Sequence, residues 1–227
     1  MSEIKERPIL FSGPMVRAIL EGRKTVTRRE IKPTMHSADL QFDLQQEADG
    51  GWHPYHTFDE SRFDRNGTEH PIKCPYGQPS ERLWVRESTE ADYDTHDAVT
   101  LARYCADKAP VLVTGCADPA FNGSVAHWNY PRDVRPSIHM KREQARILLE
   151  ITAVRVERLQ DISGDQAEAE GVDAAMCRQF LETSPSRHEC KEAVIHGFSG
   201  LWASINGSDN WAANPWVWVV EFKRVTP

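Results

Sequence analysis

No apolar run in this chain approaches the ~20 residues that a membrane helix needs, so no spanning helix is expected. The N-terminal segment Met1-Ser2-Glu3-Ile4-Lys5-Glu6-Arg7 is charged and no signal-peptide core follows it, which points to a cytoplasmic protein rather than an exported one. Cysteine is sparse: Cys74, Cys105, Cys116, Cys177 and Cys190 are scattered, odd in number and form no Cys-x-x-Cys pair. That pattern excludes a disulfide framework and gives reduced thiols. The histidines lack His-x-x-x-His and His-Glu-x-x-His spacing, and His188-x-Cys190 alone is a poor metal nucleus, so neither metal nor cofactor is expected. Basic surplus is missing too. A net charge of −7 argues against an extended duplex-binding surface.

What positive charge there is falls unevenly. Residues 17–32 hold Arg17, Arg23, Lys24, Arg28, Arg29 and Lys32 against Glu21 and Glu30. A second stretch carries Arg132, Arg135, His139, Lys141, Arg142 and Arg146. Two local basic patches on an acidic body suit a small anionic ligand or a short single strand. With 40% hydrophobic and 27% charged residues over 227 positions, the chain can build a core, and it reads as one domain, 1–227, enlarged by insertions.

Pro8–Phe11 reads as a short buried strand. Ser12 then caps a helix with Pro14 in its first turn, Met15, Val16, Ile19 and Leu20 form its apolar stripe, and Gly22 stands where a terminating glycine belongs. Thr25-Val26-Thr27 is β-branched and reads as a strand, leaving Lys24 at a helix-to-strand junction. Between about 33 and 80 the periodicity dissolves around Gly50-Gly51 and Asn66-Gly67, an insertion partly ordered by Trp52, Tyr55 and Phe58. Leu83–Arg86 is a strand. A second irregular insertion, about 89–135, has Trp128 and Tyr130 to anchor it. Residues 146–159 alternate as a long strand with a phase shift near Thr152. Ser163-Gly164-Asp165-Gln166 is a capping box opening a short helix that runs to Glu170 and closes at Gly171. A helix over about 188–205 and a strong strand over Trp216–Phe222 complete the order. Strands predominate and no βαβ rhythm appears, so the expected class is mixed α+β, mainly β: a small barrel with flanking helices and two long insertions.

The densest chemistry lies in Gly22-Arg23-Lys24-Thr25-Val26-Thr27-Arg28-Arg29. On spacing alone a basic strand on a solvated surface is the stronger reading. A lysine among cations can, however, be lowered toward neutrality and serve as a base. The arginines suit a phosphate or a carbonyl oxygen. The pattern Gly22-x-Lys24-x-x-Thr27-x-Arg29, with Leu83–Glu87, Arg135–Met140, Leu159–Ser163 and Trp218–Lys223, resembles ASCH domains, a PUA-like β-barrel family, in the longer form found in phages and prophages. The common signature has glutamate where Thr27 stands. Threonine there resembles the small bacterial ASCH enzymes that hydrolyse N4-acetylcytidine, whose proposed catalytic set is a lysine, a threonine and a glutamate from a later helix.

The resemblance implies Lys24, Thr27 and Glu170 as that set, with Glu168 as the neighbouring alternative for the acid, and an amidohydrolase acting on N4-acylated cytidine or cytosine. Thr27 is then the nucleophile and Lys24 its base; or Lys24 and Glu170 position a water, with Thr27 a hydrogen-bond donor. Since strand residues three apart face opposite sides, either Lys24 lies in the turn before the strand or the strand is bulged, for the two side chains to meet. Arg23 and Arg29 contact substrate, and Arg29 is expected to be the buried, ordered arginine. Ser137 and His139, in a basic segment before the longest strand, are further substrate contacts. Trp211, in the polar stretch 206–211 read as an exposed loop, is a stacking candidate. The other reading open to the same residues is a non-catalytic module binding RNA or single-stranded nucleic acid. In either case the partner is a modified nucleoside or a short single strand.

Overall fold

Ser12 begins the first helix with an extended backbone, and Pro14, which lacks an N–H, sits in the first turn where no intrahelical acceptor is needed. Helix α1 (Gly13–Leu20) buries Val16, Ala18 and Ile19. It ends in a left-handed glycine cap: Gly22 adopts φ +75°, its N–H donates to Ile19 O at 3.1 Å, and Arg23 N–H donates to Ala18 O at 2.9 Å. Lys24 N–H also donates to the Ala18 carbonyl, at 3.0 Å. Lys24 therefore belongs to the turn, the first of the two arrangements expected, and strand β2 (Val26–Glu30) starts two residues later.

The computed structural model describes residues 4–32, 41–57, 63–64, 71–112, 125–172 and 187–225. Phe58, Asn66-Gly67, Cys116 and Cys177 lie outside the described residues. Contacts divide the chain into two compact units. One holds Met1–Thr25, Tyr76–Thr152 and Phe222–Pro227; the other holds Val26–Pro75 and Ala153–Glu221.

In the first unit, β1 (Glu6–Leu10) runs parallel to β6 (Arg82–Arg86) with Ile9 opposite Val85. On its other side β6 is antiparallel to the start of β10 (Leu148–Arg158), Leu149 opposite Leu83. Ile9, Leu83, Val85, Leu149 and Ile151 are buried. The insertion read as irregular contains a second sheet in the order β8-β7-β9, built from β7 (Thr89–Asp92), β8 (Leu101–Tyr104) and β9 (Val134–Arg135). Its strands are two to four residues long. They are joined by a polar cross-strand pair, Glu90 opposite Arg103, with Arg103 Nε 2.6 Å from Glu90 Oε1. Such pairing leaves no apolar alternation to read.

In the second unit, β2 is antiparallel to β11 (Trp216–Val225), placing Val217 opposite Glu30, Val219 opposite Arg28 and Glu221 opposite Val26. The stretch 33–80 carries another antiparallel sheet, β3 (Gln41–Gln46), β4 (Trp52–Thr57) and β5 (Phe63–Asp64), where an irregular insertion was expected. Glutamines fill much of β3 and a proline interrupts β4, so neither carries a strong strand signature. Helices α2 (Gly164–Ala169), α3 (Arg187–Asn206) and α4 (Ser208–Ala212) complete the unit. Its core gathers Val26, Leu159, Ile162, Ala167, Val194, Phe198, Trp202, Val217 and Val219.

Strands β10 and β11 pass from one unit into the other. The buried parity of β10 shifts from Leu149 and Ile151 to Val156 around Thr152-Ala153, where the strand leaves one unit for the next. Among the described residues the strand order β1-β6-β10-β11-β2 gives β1 and β2 one partner each. The fold is mixed α+β, mainly β. The expected closed barrel is not formed among the described residues. None of the described helices is long and apolar enough to cross a membrane.

An added Cβ at Gly22 would meet nothing within 4 Å, so Gly22→Ala tests the backbone alone. Forcing an L side chain to φ +75° should lower unfolding stability by about 1 kcal/mol, measured by urea titration.

Candidate functional site

Strand parity organises the signature. Val26 faces the helix-covered core, and β2 returns to that face at Arg28, opposite Val219. The Arg28 side chain is consequently drawn inside, with 0% exposure. Thr27 and Arg29 leave β2 on the other face, opposite Val220 and Trp218. Thr27 is buried, at 2% exposure, whereas Arg29 is only half-buried. The arginine expected to be most buried was Arg29; it is Arg28. The signal was present in Val26, since any residue two positions from a core valine on a strand shares its face.

Arg28 meets three acceptors. Its Nη2 lies 3.0 Å from Glu157 Oε2 and 3.0 Å from Gln166 Oε1, and its Nη1 lies 3.4 Å from Glu170 Oε1. Glu157 is bridged by Arg155, which also pairs with Glu221, giving an alternating chain Glu221–Arg155–Glu157–Arg28–Glu170. Burial alone would lower the Arg155 pKa, but its bonds to Glu157 and Glu221 raise it. Neither Glu157 nor Gln166 was anticipated from sequence, because nothing local in the chain marks them as partners of a residue more than a hundred positions upstream.

Helix α2 delivers Gln166 and Glu170. Ser163 Oγ accepts from Gln166 N–H at 3.2 Å, while Gln166 Oε1 accepts from Ser163 N–H at 3.0 Å, completing the expected capping box. Ala167 turns into the core, and Glu170 closes the helix as its C-cap before Gly171 at φ +86°. Glu170 is 3% exposed, while Glu168 points to solvent. Of the two glutamates considered, Glu170 is the one held inside.

Lys24, in the first unit, is 2% exposed, and its Nζ lies 5.5 Å from the Phe11 ring centroid. A lysine buried to this degree is rare and calls for compensation. Arg23 is exposed and pairs with Glu21, its Nε 2.8 Å from Oε2. Ser137 and His139 form a single 3₁₀ turn; Ser137 is half-buried, and His139 is exposed with its ring 6.0 Å from that of Tyr130. The stretch around Trp211 is helix α4 rather than an open loop. Trp211 is half-buried, edge-on to Phe198 at 6.1 Å, and packs on the helical core.

The second basic stretch is largely engaged within its own unit. Arg135 lies against Trp128 and Tyr130, 5.2 Å from each ring centroid. Arg142 Nε donates to Glu6 at 2.8 Å. Arg146 forks onto Glu87 at 2.9 and 2.8 Å and onto Asp107 at 2.8 and 3.0 Å, 3.8 Å above the Tyr104 ring. Burial raises the Glu87 carboxyl above its ordinary value, with Arg146 opposing. For Asp107, burial also pushes upward, but Arg146 outweighs it and the pKa falls. Burial, followed by the charge of Glu90, pushes the Cys105 thiol up to about 11, so it stays protonated at neutral pH.

Comparison with protein-family models, with curated proteins and with solved structures gives no match. Among the described residues no three His, Cys, Asp or Glu side chains are grouped to hold a metal ion.

The raised Glu87 carboxyl has a definite pH signature. Its folded-state pKa lies above the ordinary 4.5, so its stabilising contribution is complete below that value and is lost as pH rises through the folded pKa. Glu87→Gln removes that loss. The variant should therefore gain stability relative to wild type between pH 4 and pH 7, read from paired urea titrations; a constant difference would contradict the assignment.

Proposed function

We propose that this protein is an ASCH-type hydrolase that removes acyl groups from N4-acylated cytidine or cytosine, with Lys24, Thr27 and Glu170 as its catalytic residues. The observation that carries the reading is the pairing of Glu170 with Arg28: an acid 142 positions downstream is buried against the signature strand. The pairing sets the later helix against the signature strand on its Arg28 face, opposite the face that carries Thr27. The burial of Lys24 and Thr27 supports it further, since lysine and threonine are mostly exposed in folded proteins.

In the reaction proposed, Lys24 acts as the base and takes the Thr27 hydroxyl proton as Oγ adds to the acyl carbonyl carbon. Collapse of the tetrahedral adduct breaks the bond from that carbon to N4. The transferred proton leaves with N4, giving the amino group of cytidine. Water then cleaves the Thr27 ester, Lys24 taking the water proton and returning it to the Thr27 oxygen, which restores the hydroxyl and releases the carboxylic acid. Glu170 acts on the site through its charge from the other face of β2. Arg29 shares the face of Thr27 on β2 and is the donor proposed for the oxyanion.

The alternative, a non-catalytic binder of single-stranded nucleic acid, draws less support, because Arg135, Arg142 and Arg146 are spent on contacts within their own unit.

Incubation with N4-acetylcytidine followed by chromatography should show cytidine. Lys24→Ala and Thr27→Val should each reduce turnover by about 10³-fold or more. Absence of cytidine with wild type, or undiminished turnover by Lys24→Ala, would retire the hydrolase reading.

A further inference from the structure

We infer that Arg28 is a positioning residue: one buried guanidinium grips both ends of helix α2 and so fixes where the Glu170 carboxylate points. The functional half of this inference rests on the hydrolase reading above; the structural half does not.

Helix α2 is six residues long, far below the length at which a helix persists by itself. Its N-terminal turn is closed by the Ser163–Gln166 box, and Gln166 Oε1 is also taken by Arg28 Nη2 at 3.0 Å. Its C-terminal end is the Glu170 cap, taken by Arg28 Nη1 at 3.4 Å. Gln166 and Glu170 are four residues apart, hence neighbours on one helix face, and the two arms of a guanidinium match that spacing. A lysine presents one ammonium and cannot hold both positions.

The guanidinium is itself fixed from the sheet side. Glu157 of β10 shares Nη2 with Gln166, and Arg155 and Glu221 hold Glu157 in turn. Arg28 Nε is buried and has no hydrogen-bond acceptor among the described residues. Leaving a buried donor unmet is costly, so the orientation of this side chain is dictated by its two Nη arms. Both Nη arms of Arg28 are taken by Glu157, Gln166 and Glu170, so its effect on turnover is assigned to the residues it holds.

The experiment compares wild type, Arg28→Lys, Glu170→Asp and the double variant, each checked for folding by circular dichroism. Amide hydrogen exchange over residues 166–171 should accelerate about tenfold or more in Arg28→Lys while that over 217–220 stays as in wild type. On N4-acetylcytidine, kcat should fall about 10²-fold with KM within a factor of about three. The same substitution should cost little more once Glu170→Asp is present, because the two act as one unit.

Unchanged exchange over 166–171 overturns the anchoring. Losses that multiply independently, or a change in KM alone, overturn the positioning. If wild type releases no cytidine, the hydrolase reading fails and the exchange comparison still decides the anchoring. Should Arg28→Lys not fold, Glu170→Leu cuts the C-terminal tether and leaves the Ser163–Gln166 capping box whole, and its exchange over 166–171 is held to the same outcome.

Discussion

The insertion of the Arg28 guanidinium between sheet and helix is the constraint on which the second unit depends. A buried ion is tolerated only when its charge and its donors are met, and removing one partner of such a pair costs about 3–5 kcal/mol. Arg28 meets Glu157 from β10, and Gln166 and Glu170 from α2, so one side chain ties three elements that are far apart in the chain. The apolar packing of Val26, Val217 and Val219 under Ala167 and Phe198 brings these elements together without fixing the rotation of a six-residue helix. The charged fork supplies that rotation. Hydrophobic contact is non-directional; three acceptors around one planar cation are not.

The chain from Glu221 to Glu170 contains two arginines and three glutamates, all within one unit. It is better satisfied toward its exposed end, where Arg155 and Glu221 retain water, than at its buried end, where Arg28 Nε finds no acceptor. A structure optimised for stability alone gains by replacing such ions with apolar side chains. Their retention on a strand adjoining the signature is the kind of local cost that functional sites carry.

Much of this was legible in the sequence, and the legible parts share a cause. The capping box at Ser163 and the glycines Gly22 and Gly171 act through backbone groups a few residues away, so short-range chemistry determines them. The first half of the last strand, Trp216–Val220, is a continuous apolar run, buried from Val217 to Val220, and its composition says so directly. What escaped was non-local or polar. Arg28 was passed over for Arg29 because the basic run looks uniform until Val26 is known to face the core. The small sheets of both insertions were missed because they are joined by pairs such as Glu90 with Arg103 and by glutamine-rich strands. Trp211 was read as a loop residue because Gly207 and its polar neighbours resemble a turn; tertiary packing against Phe198 overrides that local preference.

The signature strand finally has an unusual character that explains why its residues are worth pursuing. A strand buried on both faces normally reads as a near-continuous apolar run. In Val26-Thr27-Arg28 all three residues are buried, yet only the first is apolar. Alternation sends Arg28 to the helix side, where its acceptors account for it, and Thr27 to the opposite side, beside Val220. A threonine in an apolar setting is ordinary when its hydroxyl has a task and wasteful when valine would pack as well. The polarity of Arg28 is explained by the helix it holds. Among the described residues nothing comparable accounts for the polarity of Thr27, and this asymmetry between two adjacent buried residues turns attention to chemistry on the threonine face.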